Sequence, residues 1–320
     1  MKISPFIFNR IWLPYAYGRQ YPQSPLHILR WLLRTQYWSR GRIGEYQLEQ
    51  IRMQLKEASD KSDYYKSALS GVDLGNLALT TLQSLPKLSK DVIQERSEEL
   101  FTDKRDKGIR HKTSGSTGIP VEIYLSRDAE AYRRAGHLRM LHWWGIKPSD
   151  RSGLIWGNLE ISQRKVNLLK RWKRDLLNRE YFIDVFKLRS GTVEQYFQEL
   201  VDFEPVYLRG YTSGLVQFAE LVTSQHLDPA ELKLKVIFVT SEILSEKDRR
   251  FISEIFGCPV ANEYGAADGG LFAYECPEGG MHIFEEAVYI FTGEKGEACV
   301  NEYHNLLMPL INYEIGDRIE

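Results

Sequence analysis

The sequence contains no stretch approaching the ~18 to 20 uninterrupted apolar residues of a bilayer-spanning helix, so no transmembrane helix is expected. Cysteine is scarce. Three residues, an odd number, give no disulfide framework and point to a reducing, cytoplasmic setting. Net charge is nearly absent, with 42 Lys and Arg against 43 Asp and Glu, and this removes the electrostatic reason to expect a nucleic acid as partner. Two familiar nucleotide-binding loops are missing: no Gly-Lys-Ser/Thr stands at Walker spacing, and there is no Gly-x-Gly-x-x-Gly. Ser/His/Asp hydrolase chemistry lacks its nucleophile elbow. Asn9, Arg10 and Pro14 interrupt the apolar run from Phe6 to Leu13, which argues against a secretory leader.

Acid is missing from one region altogether. Before Glu45 there is no Asp or Glu, while Lys2, Arg10, Arg19, Arg30, Arg34, Arg40 and Arg42 alternate with Phe6, Phe8, Trp12, Tyr15, Tyr17, Trp31 and Trp38. Such a mixture suits peripheral contact with an anionic membrane. Pro5, Pro14, Pro22 and Pro25 break the segment up, however, and no continuous amphipathic helix emerges. Aromatics packed on the body with solvated arginines are therefore the favoured expectation. Residues Arg164 to Arg179 read as a basic amphipathic helix. Its cationic face is expected to be solvated, with an anionic membrane or the phosphates of coenzyme A as the functional alternatives.

What is present is a globular chain of 320 residues, 43% hydrophobic, large enough for a substantial core. The front third reads as helical, with Leu48, Ile51, Met53, Leu55 and Ala58 near helical spacing between Glu45 and Leu69, and a second helix from Lys90 to Leu100 capped by Ser89. From Gly153 short apolar runs alternate with helical patterns. Strands are expected at Gly153 to Trp156, Pro205 to Leu208, Leu234 to Val239 and Pro259 to Asn262. Helices are expected at Thr192 to Phe203, with Thr192 and Gln195 as a capping box, at Gly214 to Val222, and from Ser245 to Gly257. This alternation argues for an α/β fold with a mostly parallel sheet flanked by helices, whose ligands sit at the carboxyl ends of the strands near Tyr211, Ser241 and Tyr264. Beyond Met281, His282 to Phe291 and Ala298 to Tyr303 read as antiparallel strands around a Gly293/Gly296 turn. The expected organisation is a mostly helical region, 1–108, packed on an α/β core, 109–320, as one structural unit.

Thr113-Ser-Gly-Ser-Thr-Gly-Ile-Pro120 concentrates hydroxyls and glycines, so backbone N–H groups can approach an anion while side chains donate further bonds. A Gly/Ser turn between strands is the bland alternative. The octet resembles the phosphate loop of adenylate-forming enzymes. Two further segments follow in that family's order: Asn262-Glu-Tyr-Gly-Ala-Ala-Asp268 and Tyr313-Glu-Ile-Gly-Asp317. Within the superfamily the chain is most similar to phenylacetate-CoA ligases and to their relatives associated with capsular polysaccharide synthesis, through Arg209-Gly-Tyr-Thr-Ser213, Thr240-Ser-Glu242 and Cys276-Pro-Glu-Gly-Gly-Met-His-Ile-Phe-Glu-Glu286.

The resemblance implies an ATP-dependent ligase that activates a carboxylic acid as its acyl-adenylate, with Mg²⁺ and with coenzyme A as a candidate acceptor. Thr113, Ser114, Gly115, Ser116, Thr117 and Gly118 would hold phosphates, Thr117 and Asp268 would be catalytic, and Asp268 would bind Mg²⁺. Ser241, Glu242, Tyr264 and Gly265 would line the adenine, and Asp317 would take the ribose. His137, Met140, Leu141, Trp143 and Trp144 would line the acyl pocket or, the favoured reading, pack in the core.

Three departures from the family stand out. Ile119 and Val121 occupy positions where many relatives have a lysine, leaving Arg110 or Lys112 to supply the charge; Asp268 replaces the usual Glu; and the sequence stops at Glu320, before the mobile lid of the family. Slow or undetectable adenylation by this polypeptide alone, with ATP binding retained, is the expectation, with a non-catalytic nucleotide-binding or scaffold protein as the alternative. Cys258, Cys276, His282 and Cys299 form a candidate zinc set without the paired Cys-x-x-Cys signature.

Overall fold

Proline placement shapes the N-terminal segment. Pro5 opens helix α1 (Pro5–Ile7), where its missing N–H is not needed. The chain then takes a π-helical stretch, Phe8–Trp12, closed by the Leu13 N–H on the Phe8 carbonyl, and continues as α2 (Leu13–Gln20). The expectation that prolines prevent a continuous helix here is corrected: Pro14 has no N–H to donate, and the hydrogen-bonding pattern shifts just before it. Pro25 likewise opens α3 (Pro25–Thr35).

The computed structural model describes residues 4–75, 77–112, 121–157, 179–266 and 270–319. These fall into two units, one of Met1–Leu13, Met140–Tyr264 and Tyr274–His282, the other of Pro14–Arg139, Gly265–Ala273 and Ile283–Glu320. In the second unit α4 (Arg40–Lys61) and α5 (Asp63–Ala68) divide at Ser62, whose hydroxyl accepts the Tyr65 N–H and so caps α5. Ser89 caps α6 (Lys90–Arg96) through the Val92 N–H. Strands β1 (Ile109–Lys112) and β2 (Glu122–Leu125) pair antiparallel, and Ser126 caps α7 (Arg127–Trp143) by accepting the Ala129 N–H at 3.1 Å.

The main sheet is built from β3 (Ser152–Trp156), β4 (Glu180–Asp184), β5 (Tyr207–Tyr211), β6 (Val236–Thr240), β7 (Val260–Ala266), β8 (Gly270–Glu275) and β9 (Met281–Ile283). Its strand order is β4-β3-β5-β6-β7-β8-β9, and the pairs from β4 to β7 are parallel. The crossovers run through α8 (Ser190–Phe203), α9 (Thr212–Ser224) and α10 (Glu246–Phe256). Strand β6, a run of β-branched and aromatic residues, is buried throughout, and Ile155, Leu208, Ile237, Phe218 and Ile252 belong to one core cluster with it. Gly210 is demanded by packing: a Cβ there would lie 2.5 Å from the Ile155 carbonyl oxygen of the adjacent strand.

Helix α10 follows the sequence expectation at both ends, with Ser245 accepting the Asp248 N–H and Gly257 left-handed at φ 64°. The capping box of Thr192 and Gln195 is corrected. Thr192 Oγ1 accepts the Arg189 N–H at 3.2 Å, whereas Gln195 reaches forward to Glu199. Met281–Ile283 joins the main sheet instead of the antiparallel strands beyond it. Those strands, β10 (Val288–Thr292), β11 (Glu297–Glu302) and β12 (Tyr313–Arg318), form a three-stranded antiparallel sheet in the second unit. The side chains of Asn301 and Asn312, both buried, bond to each other at 3.1 Å and fix the β11 to β12 corner. Among the described residues no helix is long and apolar enough to cross a membrane.

Candidate active site

In the first unit the carboxyl ends of β3, β5 and β6 carry Trp156, Tyr211 and Thr240, and the registers Tyr211↔Thr240 and Thr240↔Glu263 set these ends side by side. The rings of Trp156 and Tyr211 lie 4.2 Å apart at 32°, forming an aromatic wall. Below it Arg209 reaches past β6 and grips Glu263 with two bonds, Nε to Oε2 at 3.0 Å and Nη2 to Oε1 at 2.5 Å. Burial alone would favour loss of the Arg209 proton, but the Glu263 carboxylate outweighs it and holds the guanidinium firmly charged. Burial, reinforced by the Glu242 charge, raises the Tyr211 phenol above its ordinary value, so it stays a neutral donor.

Ser241 leaves β6 with φ 67°, a left-handed turn that a non-glycine residue adopts at some cost. That turn brings Glu242 to the start of α9, where its carboxylate accepts the Ser213 N–H at 2.7 Å and the Ser213 hydroxyl at 2.9 Å. The negative charge suits the positive end of a helix. Tyr264 follows Glu263 on β7 and is half-buried. Arg209, Glu263 and Trp156 had no role from sequence reasoning, because an ion pair across 54 residues leaves no local signal. Glu275 is another such residue: it binds the Arg249 guanidinium and accepts the Asn262 N–H at 2.7 Å, tying β7 to α10.

Trp143 and Trp144 have packing roles in the first unit. The Trp144 indole N–H donates to the Glu275 carbonyl at 3.0 Å, Trp143 meets Tyr274 and His282 edge-on, and Met140 and Leu141 are buried. His137, in the second unit, is half-buried.

The residues of the phosphate-loop motif, Thr113, Ser114, Gly115, Ser116, Thr117 and Gly118, and also Asp268, lie outside the described residues, as does most of the basic stretch from Arg164. Their flanks are described. In the second unit Lys112 pairs opposite Glu122, so the strands on either side of 113–121 lie together. The Arg110 guanidinium forms two bonds with Glu122, which commits one of the two cations expected to serve the loop. His111 Nε2 is buried without a hydrogen-bond partner and lies 3.8 Å from Glu130. Burial lowers its pKa, and the Arg133 charge adds to the effect. Arg133 itself binds both oxygens of Glu302 at 2.7 and 2.8 Å.

The Arg133 guanidinium also fills the space beside Gly270, where a Cβ would sit 3.1 Å from Nε. Gly270 (φ 98°) and Gly265 flank the segment that holds Asp268, and a Cβ on Gly265 would come 2.6 Å from the Gly270 carbonyl oxygen, so both positions require glycine. Asp317 is exposed on β12, just after Gly316 at φ 91°.

The candidate zinc set gains no support. Among the described residues Cys258, Cys276, His282 and Cys299 do not converge, and the one cluster with three ligand-type atoms close together is Glu297, Cys299 and Glu314. Lys87 pairs with both of its carboxylates and supplies the counter-charge itself. Burial pushes the Cys258 thiol up to about 12 and the Cys299 thiol up to about 11.

No family model matches the sequence. The chain is similar to Protein CapK of Staphylococcus aureus, 25% identical over 271 residues that span 81% of this chain and 59% of that protein. It is also similar to phenylacetate-coenzyme A ligase of Pseudomonas putida, 23% identical over 302 residues that span 86% of this chain and 66% of that protein. It therefore spans about three fifths to two thirds of the length of these curated relatives. A solved structure of 2-hydroxyisobutyryl-CoA ligase in complex with 2-HIB-AMP and CoA matches with a TM-score of 0.72 at 17% identity, covering 87% of this chain and 64% of that one. The fold is accordingly that of the adenylate-forming CoA ligases. The two sequence relatives and the fold agree with the resemblance carried by the ordered motifs, to the adenylate-forming enzymes and among them the phenylacetate-CoA ligases.

Proposed function

We propose that the chain binds ATP and activates a carboxylic acid as its acyl-adenylate, in the cytoplasm and in the service of surface polysaccharide synthesis. The observation that carries this reading is the phosphate-loop motif Thr113 to Pro120, set between two strands paired at Lys112 and Glu122 in a chain of the phenylacetate-CoA ligase type. A carboxylate oxygen of the acid bonds to the α-phosphorus of ATP, the bond from that phosphorus to the bridging oxygen breaks, and pyrophosphate leaves with its electron pair. The protein's part is to position and to neutralise charge.

Thr113, Ser114, Gly115, Ser116, Thr117 and Gly118 would hold the departing phosphates with N–H and hydroxyl donors. Ser241, Glu242, Tyr264 and Gly265 would border the adenine; the neutral Tyr211 phenol and the close-approach Gly265 fit a flat, uncharged base. Asp317, exposed on β12, would accept from the ribose hydroxyls. Asp268 is a hard oxygen donor suited to Mg²⁺, which when bound would offset charge on the phosphate oxygens. Support for coenzyme A as acceptor comes from the names of the relatives, and support for the polysaccharide role from the similarity to Protein CapK together with the sequence resemblance.

ATP binding by calorimetry and ATP–pyrophosphate exchange with aryl, fatty, hydroxy and amino acids test the proposal. Binding is expected, with exchange for one acid class and a loss of about 100-fold in Thr117→Ala. Failure to bind ATP ends the proposal. Binding without exchange for any acid, in this chain and in a version extended to the length of its relatives, would favour a non-catalytic nucleotide-binding protein.

A further inference from the structure

We infer that Arg209 is a positioning residue for the nucleotide base: by gripping Glu263 across β6 it fixes the carboxyl ends of β5 and β7, where Tyr211 and Tyr264 stand. The inference rests on the proposed binding of the adenine of ATP at this edge. Strand β6 ends there. Its last pairs are Tyr211↔Thr240 with β5 and Thr240↔Glu263 with β7, and the chain then leaves through the left-handed Ser241. Tyr264 lies one residue past the last of these pairs. At this level the ion pair joins β5 to β7 directly.

The register shows how far the arginine reaches. Arg209 is level with Phe238, and Phe238 with Ala261, so a guanidinium directed straight across would meet β7 at Ala261. It bonds instead to Glu263, two residues nearer the edge, and engages both carboxylate oxygens. The Glu263 side chain is buried, and that of Arg209 is 26% exposed. Trp156, at the end of β3, has its ring 5.6 Å from the guanidinium carbon and 4.2 Å from the Tyr211 ring. One cation therefore stands against the aromatic wall and against the carboxylate next to Tyr264.

Stability does not call for this pair. Backbone bonds already join β5, β6 and β7, and apolar side chains of similar volume often match or surpass a buried ion pair. What apolar side chains lack is direction, whereas a planar fork bonded to two oxygens fixes distance and angle together. Such fixing is of use where a flat ligand has to fit between preset groups.

Calorimetry with the whole chain, using ATP, GTP and inorganic tripolyphosphate, tests the inference. The wild-type chain is expected to bind ATP more tightly than GTP. Arg209→Met alone strands the Glu263 carboxylate and threatens folding, but Arg209→Met combined with Glu263→Leu removes both charges and should leave the melting temperature nearly unchanged. The double variant should bind ATP about tenfold more weakly and lose most of its preference over GTP, with tripolyphosphate binding unchanged. Arg209→Lys, which keeps the charge without the fork, should show the same pattern at several-fold, and it carries the test alone if the double variant is unstable. A wild-type chain that does not bind ATP removes the reading on which the inference rests, and the inference with it. With ATP bound by the wild type, three results overturn the inference alone: no preference over GTP, an undiminished preference in the variants, or equal losses for all three ligands, the mark of a merely structural role.

Discussion

Glu242 and Glu286 are carboxylates with two hydrogen bonds each, in opposite settings. Glu242, at the strand edge of the first unit, is exposed and accepts the N–H and hydroxyl of one residue, Ser213. Glu286, in the second unit, is 3% exposed and gathers distant elements: Thr35 of α3 donates at 2.6 Å, Arg139 of α7 at 2.8 Å, and its backbone carbonyl accepts from His304 at 3.0 Å. Water can replace much of what Glu242 provides. Nothing replaces Glu286, because its partner Arg139 is itself 2% exposed. The number of bonds is the same; solvent access decides what each is worth.

The sharpest way to break this comparison is Glu286→Ala, which leaves the Arg139 guanidinium buried without its carboxylate. A loss of ~3 to 5 kcal/mol is expected in denaturant unfolding; a loss no larger than at Glu242 would erase the distinction. Next in size is pH. Burial holds the His304 imidazole down to about 4, and its ring stacks on Tyr132 at 3.4 Å. The unfolded chain protonates this residue near the ordinary value of ~6.5. The stability it contributes is therefore complete above about 6.5 and drains away as pH falls toward about 4, by about 3 kcal/mol. Melting curves across that window should slope, and His304→Gln should flatten the slope. The smallest effect is expected from Glu242→Ala, about 1 kcal/mol as the loss of a helix N-terminal acceptor, and it should shrink as salt rises.

Much of the α/β framework was legible in the sequence, because strand and helix patterns have different periods and because Ser245, Ser89 and Gly257 are caps with local causes. Tertiary facts were not. Thr192 caps through its own hydroxyl and not in a box with Gln195, Met281–Ile283 has too little pattern to reveal which sheet it joins, and the prolines of the first 25 residues looked like breaks although two of them begin helices. In the candidate site, Thr113 to Gly118 and Asp268 stand out as motifs of consecutive residues, and they lie outside the described residues. Arg209 with Glu263 and Arg133 with Glu302 were invisible, each pair being assembled only by the fold.

The hairpin of β1 and β2 has a consequence for chain entropy. Its pairing of Lys112 with Glu122 fastens the two ends of a nine-residue segment, 113–121, as part of folding. Bringing the ends of such a segment together costs about 2 kcal/mol of chain entropy. That cost is met within folding itself, through the strand register. Glu122, through Arg110 and the strand register, thus helps to hold closed the ends of a segment it does not belong to.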